Sequence, residues 1–402
     1  MKETKFKQTE VGLIPCDWNV KTVKCIAPLQ RGFDLPTAML RDGNVPVVYS
    51  NGICNFHNKS KCIGPGLVTG RSGTIGKFTF IASGPYWPHN TSLWVTSFKG
   101  NNPLFVYYLY SSLKIEDFSG GSGVPTLNRN NVHEKMVAVP SSIEEQKRIA
   151  KALSDVDSLI ANLEKLIAKK KNIKQGAMQQ LLTGRKRLPG FAPAKPTYKQ
   201  TELGQIPTDW EMKKIGVFCK VYDGTHQTPH YVEFGIPFYS VENVSADDFE
   251  HTKFISNSEY ECISKRASIE KGDVLMTRIG SIGVCKYVDW DCKSGFYVSL
   301  ALLKCNEKID ARYLCQQSKS DIFKKEIELH SLTTAIPQKI NLGPISQVRI
   351  IVPSSKKEQT AIANVLSDMD TEIATLETKL AKYRKLKTGM MQQLLTGKIR
   401  LV

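Results

Sequence analysis

Two glycine-containing loops carry the side chains best suited to contact a nucleic acid. Residues 71–76 read Arg-Ser-Gly-Thr-Ile-Gly and residues 278–283 read Arg-Ile-Gly-Ser-Ile-Gly, and their glycines suit tight turns that need a positive φ. Each leading arginine can donate two parallel hydrogen bonds to guanine O6 and N7 or to a phosphate, or it can brace the loop against its own domain. The sequence leaves both roles open. The candidate contact residues are Arg71, Ser72, Thr74, Lys77, Arg278 and Ser281.

A third segment, residues 222–229, is dense in polar side chains. Within it, Thr225, His226 and Gln227 carry hydrogen-bonding groups suited to the edges of bases. The same composition is typical of an Asx-type turn that binds no ligand. These three residues are therefore candidate DNA contacts, with the plain turn as the alternative.

Several patterns approach catalytic motifs and lack a residue that the chemistry needs. Residues 70–77 are one residue too long for a phosphate-binding loop, and Phe78 stands where a Mg²⁺ site needs Ser or Thr. Residues 102–105, Asn-Pro-Leu-Phe, lack the second proline of the amino-methyltransferase signature. The spacing of Cys54, His57 and Cys62 fits no common zinc site. We therefore expect no metal site and no nucleotide or methyl-donor cofactor in this chain, and no catalytic constellation is readable from the sequence.

The elements that must position these loops are written twice in the chain. Residues 140–188 recur without a gap at 353–401, and an opening motif at 7–18 recurs at 199–210. Such a repeat predicts two similar units related by a pseudo-two-fold. The two offsets, 213 and 192 residues, differ by 21, so the stretch between the repeated motifs is longer in the second half. A repeated frame with divergent inserts indicates two modules that act alike on different targets.

Each long repeat predicts one helix with a coiled-coil seam. Apolar residues alternate at steps of three and four, with charged residues between them. Serines after Pro140 and Pro353 suit the N-cap, and Gly184 and Gly397 suit the C-terminal end. Such a helix would run about 60 Å, so we expect it to pack against its other copy. The seam residues are Ile149, Leu153, Val156, Ile160, Leu163, Ile167, Ile362, Leu366, Met369, Ile373, Leu376 and Leu380.

The stretches between the repeated motifs predict compact α+β domains. Residues 103–113 and 311–327 each indicate one helix. β-branched and aromatic runs indicate strands that start at Val45, Lys77, Ser92, Pro237, Asp273 and Tyr297. The predicted organisation is a globular domain at 1–139, a helix at 140–188, a proline-rich linker at 189–198, a second globular domain at 199–352 and a second helix at 353–402.

The overall charge favours a polyanionic partner. The 402 residues carry a formal net charge of +17, which suits nucleic acid or an anionic membrane surface. No apolar run is long enough to span a membrane, and the N-terminus has no secretory signal. We therefore expect a cytoplasmic protein and favour nucleic acid as its partner.

Three doubled motifs resemble those of the specificity subunit of type I restriction-modification systems. The first is Gly-x-Ile-Pro-x-Asp-Trp at 12–18 and 204–210, and the second is Pro-Ser-Ser-x-x-Glu-Gln at 140–146 and 353–359. The third is Gln-Gln-Leu-Leu-Thr-Gly at 179–184 and 392–397. They stand in the order found in that family, and the resemblance covers the whole chain.

The resemblance implies two target-recognition domains joined by two long antiparallel helices that act as a spacer. It implies a chain without catalytic activity that binds double-stranded DNA together with two methyltransferase subunits and restriction subunits. Those subunits would use S-adenosylmethionine, ATP and Mg²⁺. One alternative is a coiled-coil scaffold with sugar- or protein-binding heads, which would show no DNA affinity. Another is a self-sufficient DNA methyltransferase, which would bind S-adenosylmethionine on its own.

Overall fold

The fold, seen in a computed structural model, divides into two compact units. Residues 5–120, 125–291, 293–332 and 334–401 are described. Unit 1 comprises Met1–Lys165 and Glu377–Val402, and unit 2 comprises Leu166–Leu376. The first long helix, Ile143–Leu181, and the second, Lys356–Leu394, each contribute one part to either unit. A unit is therefore built from one variable stretch and parts of both repeats.

Unit 1 contains two four-stranded sheets, ordered β6-β5-β10-β7 and β4-β11-β8-β9, with short helices at Val23–Ile26, Pro103–Ser112 and Arg129–His133. Its strands are Phe6–Thr9 (β1), Gly12–Pro15 (β2), Trp18–Thr22 (β3), Leu29–Arg31 (β4), Val45–Tyr49 (β5), Gly52–His57 (β6), Cys62–Ile63 (β7), Gly66–Gly70 (β8), Phe78–Ile81 (β9), Pro85–Pro88 (β10), Ser92–Val95 (β11), Ser119–Gly120 (β12), Thr126–Leu127 (β13) and Met136–Pro140 (β14).

Unit 2 repeats this plan, with four-stranded sheets ordered β19-β21-β20-β24 and β18-β25-β22-β23. Its strands are Tyr198–Thr201 (β15), Gly204–Pro207 (β16), Trp210–Lys214 (β17), Cys219–Asp223 (β18), Tyr231–Val232 (β19), Ile236–Tyr239 (β20), Lys253–Ile255 (β21), Val274–Thr277 (β22), Cys285–Tyr287 (β23), Gly295–Phe296 (β24), Leu300–Cys305 (β25) and Arg349–Pro353 (β26). Its short helices are Val241–Ala246, Asn257–Ser264, Ala311–Ser318, Asp321–His330 and Leu342–Gln347.

The two units share the topology of one sheet and the central parallel pairing of the other. The strands β4, β11, β8 and β9 of unit 1 occupy the same order as β18, β25, β22 and β23 of unit 2. In the other sheet, β5 pairs parallel with β10 just as β20 pairs parallel with β24. The α+β class and the internal repeat predicted from the sequence are confirmed.

Most predicted short elements are present, and one prediction is wrong. The strands expected near Val45, Lys77, Ser92, Pro237 and Asp273 form, while the strand expected at Tyr297 begins at Leu300. The single helix expected over 311–327 is broken into Ala311–Ser318 and Asp321–His330. Ser320 has an extended backbone, and its side chain accepts a hydrogen bond from the Phe323 amide. This N-cap starts a new helix where the apolar pattern alone suggested continuity.

The repeated motifs meet inside each unit. In unit 1, β3 pairs antiparallel with β14 and places Trp18 opposite Pro140, at the start of the first long helix. In unit 2, β17 pairs with β26 and places Trp210 opposite Pro353 in the same way. Both tryptophans are fully buried. The opening motif and the helix start therefore form one frame that closes the variable stretch at both of its ends.

Each unit's core also receives the end of the other repeat's helix. Leu394 and Leu395 pack in the core that contains Trp18, and Leu181 and Leu182 pack in the core that contains Trp210. The glycines predicted at the C-terminal ends, Gly184 (φ 70°) and Gly397 (φ 73°), have positive φ and lie three residues beyond the last helical residues, Leu181 and Leu394.

Arg187 and Arg400 follow the two helix ends and hold them to the globular domains by hydrogen bonds to carboxylates. In unit 1, Arg400 donates to both carboxylate oxygens of Asp17 (2.9 and 2.8 Å) and to buried Glu145 (2.8 Å). In unit 2, Arg187 donates in the same way to Asp209 (3.1 and 3.0 Å) and to Glu358 (2.6 Å). The hydrogen bonds from Arg400 lower the pKa of Asp17 below its ordinary value. We call each arginine with its two carboxylates a clasp.

The predicted seam residues are buried or half-buried. At the start of each helix they join the core of a globular domain: Ile149 and Leu153 in unit 1, Ile362 and Leu366 in unit 2. The remaining seam residues lie farther along the helices and are Val156, Ile160, Leu163, Ile167, Met369, Ile373, Leu376 and Leu380.

The helix segments within each unit run antiparallel. Ion pairs join them, and residue numbers that rise on one helix fall on the other. The pairs are Asp157–Lys387 and Glu164–Arg384 in unit 1, and Lys170–Glu372 and Lys174–Asp370 in unit 2. Packing of a coiled-coil type between the two copies, predicted from the seam, fits this arrangement.

Candidate nucleic-acid interface

A turn at the end of one strand has the same construction in both units. Residues 31–34 begin at the last residue of β4, and residues 223–226 begin at the last residue of β18. A Cβ on Gly32 would lie 2.2 Å from the His89 carbonyl oxygen, and a Cβ on Gly224 would lie 2.1 Å from that of Phe296. Only glycine fits such a close backbone approach. We call residues 31–34 and 223–226 the tip turns.

The two arginine loops are hairpins at equivalent places. Residues 71–76 connect β8 to β9, and residues 278–283 connect β22 to β23. The positive φ expected at their glycines is confirmed, with values of 80–86° at Gly73, Gly76, Gly280 and Gly283. We call residues 71–76 and 278–283 the glycine hairpins.

In each unit, one segment contacts both the tip turn and the glycine hairpin. It leads from β10 to β11 in unit 1 and from β24 to β25 in unit 2. In unit 1, the Phe33 amide donates to the Pro88 carbonyl (2.8 Å) and the Arg71 amide donates to the Thr91 carbonyl (2.9 Å). In unit 2, the Thr225 amide donates to the Phe296 carbonyl (3.2 Å) and the Arg278 amide donates to the Ser299 carbonyl (2.9 Å). Candidate residues from two predicted loops therefore form one cluster in unit 2.

The matching cluster in unit 1 contains residues that sequence reasoning missed. The segments 31–34 and 223–226 share a single glycine, and their side chains differ in type. A usable signal was the offset of the opening motif. Gly32 and Gly224 are 192 residues apart, as are the two copies of that motif. Carrying the offset onward from the opening motif would have identified residues 31–34.

Arg278 is enclosed by its own domain. Its side chain is 9% exposed. The guanidinium Nε donates to the Ile340 carbonyl (3.2 Å), and Nη1 donates to the Val298 carbonyl (3.4 Å) and lies 3.8 Å from the Asp223 carboxylate. Burial lowers the pKa of Arg278, and the Asp223 charge opposes that shift. These contacts suit the bracing role left open by the sequence.

Arg71 has different surroundings. The residue is half-exposed, and within the described part of the chain its guanidinium makes no recorded hydrogen bond or ion pair. Nearby, Lys77 is exposed and donates to the Asn51 carbonyl (2.9 Å). Ser72 is half-exposed and Thr74 is exposed. The unit 1 hairpin therefore leaves a cation and two hydroxyl groups available to a ligand.

A buried carboxylate organises the cluster in unit 2. Asp223 is 7% exposed, and it contacts His226 Nε2 (2.7 Å) and the Arg266 guanidinium in addition to Arg278. The side chains of His226 and Arg266 are 61% and 59% exposed.

The other predicted contacts of unit 2 lie on this surface. Thr225 is half-exposed, and its hydroxyl donates to the Gln227 carbonyl (3.3 Å). Gln227 and Ser281 are exposed. The arrangement presents mostly hydrogen-bond donors to solvent around a fixed negative centre.

Neither a membrane-spanning helix nor a metal site is present among the described residues. No helix there is both long and apolar enough to cross a membrane. No group of three or more His, Cys, Asp or Glu side chains is placed to hold a metal ion in that part of the chain. In the cysteine-histidine cluster singled out from the sequence, His57 Nδ1 accepts a hydrogen bond from the Arg41 amide (3.1 Å).

Known proteins match this chain along most of its length. The model of the type I restriction modification DNA specificity domain matches twice, at residues 15–175 and 207–383. The specificity subunit of the type I restriction enzyme MjaVIII of Methanocaldococcus jannaschii is 29% identical over 307 residues, 73% of this chain and 70% of its own. The MjaIX specificity subunit of the same organism is 28% identical over 272 residues, 60% of this chain and 61% of its own.

A solved structure shares the fold. The crystal structure of a type I restriction-modification S subunit from M. genitalium matches with a TM-score of 0.66 and 15% identity, over 98% of both chains. The two matches to the domain model cover most of this sequence and coincide with the two repeats. The chain therefore belongs to the specificity subunits of type I restriction enzymes, which are their non-catalytic DNA-recognition components.

Proposed function

We propose that this chain reads an asymmetric, split DNA target, with one half-site for each unit. One observation carries the proposal: the tip turn and the glycine hairpin recur on the same backbone frame with different side chains. Arg31, Asp34 and Arg71 of unit 1 correspond to Asp223, His226 and Arg278 of unit 2. Because base edges are distinguished by their donor and acceptor patterns, different side chains on one frame select different bases.

The charge of the chain supports contact with the DNA backbone as well. A net charge of +17 provides cations for phosphates, whose neutralisation releases counterions and makes affinity fall with salt. Arg71, Ser72, Thr74 and Lys77 in unit 1 are proposed contacts. In unit 2 we propose Thr225, His226, Gln227 and Ser281, with Arg278 holding the hairpin in place.

We propose that two methyltransferase subunits and restriction subunits dock on this chain in the cytoplasm. The support is membership of the specificity-subunit family and the doubled frame, which would offer two equivalent attachment sites. Methyl transfer with S-adenosylmethionine, and cleavage with ATP and Mg²⁺, then belong to those subunits. The contribution of this chain is to place them on a chosen DNA sequence.

The test is to assemble the chain with its methyltransferase subunits and map which bases they methylate. We expect one modified position in each of two short sequences separated by unspecified bases. Fluorescence anisotropy should show affinity for that duplex falling steeply between 50 and 200 mM salt, by about 10³-fold for six phosphate contacts. S-adenosylmethionine should bind the complex and leave the isolated chain unoccupied. Methylation without a split target would contradict the proposal.

A further inference from the structure

We propose that the two tip turns read bases of opposite hydrogen-bonding polarity. In unit 1, Asp34 accepts a hydrogen bond from the exocyclic amino group of cytosine or adenine. In unit 2, Arg266 beside His226 donates to the acceptor edge of guanine. This inference rests on the proposed function, and it names the residues that set one base in each half-site.

The tip turns are equivalent positions with their charges exchanged. Arg31 and Asp223 occupy the first position, and Asp34 and His226 occupy the fourth, with 192 residues between the members of each pair. Both turns are closed by a contact between these two positions, Arg31–Asp34 at 3.2 Å and Asp223–His226 at 2.7 Å. The carboxylate is therefore at the fourth position of the turn in unit 1 and at the first position in unit 2.

Asp34 of unit 1 presents an acceptor to solvent. Its side chain is 70% exposed. Its recorded contacts, with Arg31 and with the Asn90 amide, both use Oδ1, so Oδ2 has no recorded partner among the described residues. An ionised carboxylate accepts hydrogen bonds and donates none. In the major groove, cytosine N4 and adenine N6 carry donors, whereas guanine offers only O6 and N7 acceptors.

The unit 2 turn presents donors instead. Asp223 is buried and faces Arg266, His226 and Arg278, so its negative charge points to these side chains and away from solvent. Arg266 is 59% exposed and contacts Asp223 through one terminal nitrogen, which leaves its other donors for a ligand. A guanidinium held in this way suits the two acceptors of guanine.

The neighbouring elements support a role in contacting DNA. The Asn90 side-chain amide donates a hydrogen bond to Asp34. The carbonyl of the next residue, Thr91, accepts a hydrogen bond from the Arg71 backbone amide (2.9 Å). Asp34 and the half-exposed Arg71 therefore belong to one surface. Arg266 and Arg278 likewise share Asp223. In each unit, the tip turn lies beside the hairpin that the sequence identified independently.

The test selects bound duplexes from a randomised pool, using the assembled complex and sequencing the selected DNA. Asp34→Ala removes the acceptor and the charge, so it should reduce discrimination at one position of one half-site by about 5- to 150-fold. Arg266→Gln should do the same at one position of the other half-site. Asp42→Asn and Lys265→Gln make the same charge changes at other exposed positions of the same units and should preserve the wild-type preferences.

The outcomes separate this inference from the proposed function. If the wild-type complex selects a split target and both variants weaken all sequences alike, these residues contact phosphates and the inference is overturned. Unchanged preferences in both variants would overturn it as well. If the wild-type complex selects no split target, the proposed function itself fails. Circular dichroism melting confirms that each variant is folded, as expected for exposed side chains.

Discussion

At the residue scale, Arg71 and Arg278 have the same place in the repeat and different surroundings. The position that faces Arg278 holds Asp223, which lies 3.8 Å from it, whereas the equivalent position in unit 1 holds Arg31. A carboxylate attracts the guanidinium inward, and a second arginine repels it. This charge difference is one reason for a buried arginine in unit 2 and a half-exposed one in unit 1, beside the carbonyl groups of Ile340 and Val298 that Arg278 contacts.

Removing Arg278 should therefore lower stability, whereas removing Arg71 should lower DNA affinity. Arg278→Ala breaks hydrogen bonds to two carbonyl groups and removes the buried cation beside Asp223, so unit 2 should lose about 1–3 kcal/mol of stability. Arg71→Ala should melt as the wild type and lose DNA affinity. Thermal melting and anisotropy on both variants check this, with each variant as the control for the other. Early melting of Arg71→Ala would contradict the assignment.

The sequence could identify these loops but not their burial. The glycines and the repeated arginines are local signals, and they located both hairpins and their positive φ angles. The burial of Arg278 depends on the carbonyl of Ile340, 62 residues away, and on Asp223 at the end of another strand. Contacts of that separation follow from sheet order, which local patterns do not specify.

At the element scale, the long helices were predictable and their exchange between units was not. Caps and glycines lie next to the helices, and the helix predicted at 140–188 is found at Ile143–Leu181. The clasp joins Arg400 to Glu145, 255 residues apart and from different repeats. A seam pattern shows that a helix packs against a partner. It does not show that the C-terminal end of each helix packs in the core that contains the start of the other helix, because that depends on three-dimensional packing.

Breaking a clasp should destabilise the unit that contains it. Arg400→Met leaves the buried Glu145 carboxylate without its cation, which should cost unit 1 about 3 kcal/mol, and Arg187→Met should do the same to unit 2 through Glu358. Hydrogen exchange measured by mass spectrometry can assign the loss to one unit. Lys398→Met and Arg185→Met remove exposed cations two residues earlier and serve as controls. Equal exchange in clasp and control variants would show that the clasps do not stabilise the fold.

At the scale of the whole molecule, a duplicated frame carries two different surfaces. Much of the additional length of unit 2 lies between β20 and β22, where helix Val241–Ala246 precedes β21 and helix Asn257–Ser264 follows it, whereas a short connection joins β5 to β6 in unit 1. Arg266 follows the second of these helices. The length difference is visible in the sequence. The contact between Arg266 of this insert and Asp223 is seen only in the three-dimensional structure.

The central claim is that each unit reads its own half of the target. The most direct measurement replaces residues 211–352 with the corresponding stretch of a relative and maps the bases that the assembled complex methylates. The replaced segment contains the tip turn and the glycine hairpin of unit 2. The repeated motifs at 199–210 and 353–401 lie outside it and stay unchanged. We predict that one half of the target changes and that the other half stays as in the wild type. A change in both halves, or in neither, would contradict recognition by separate units.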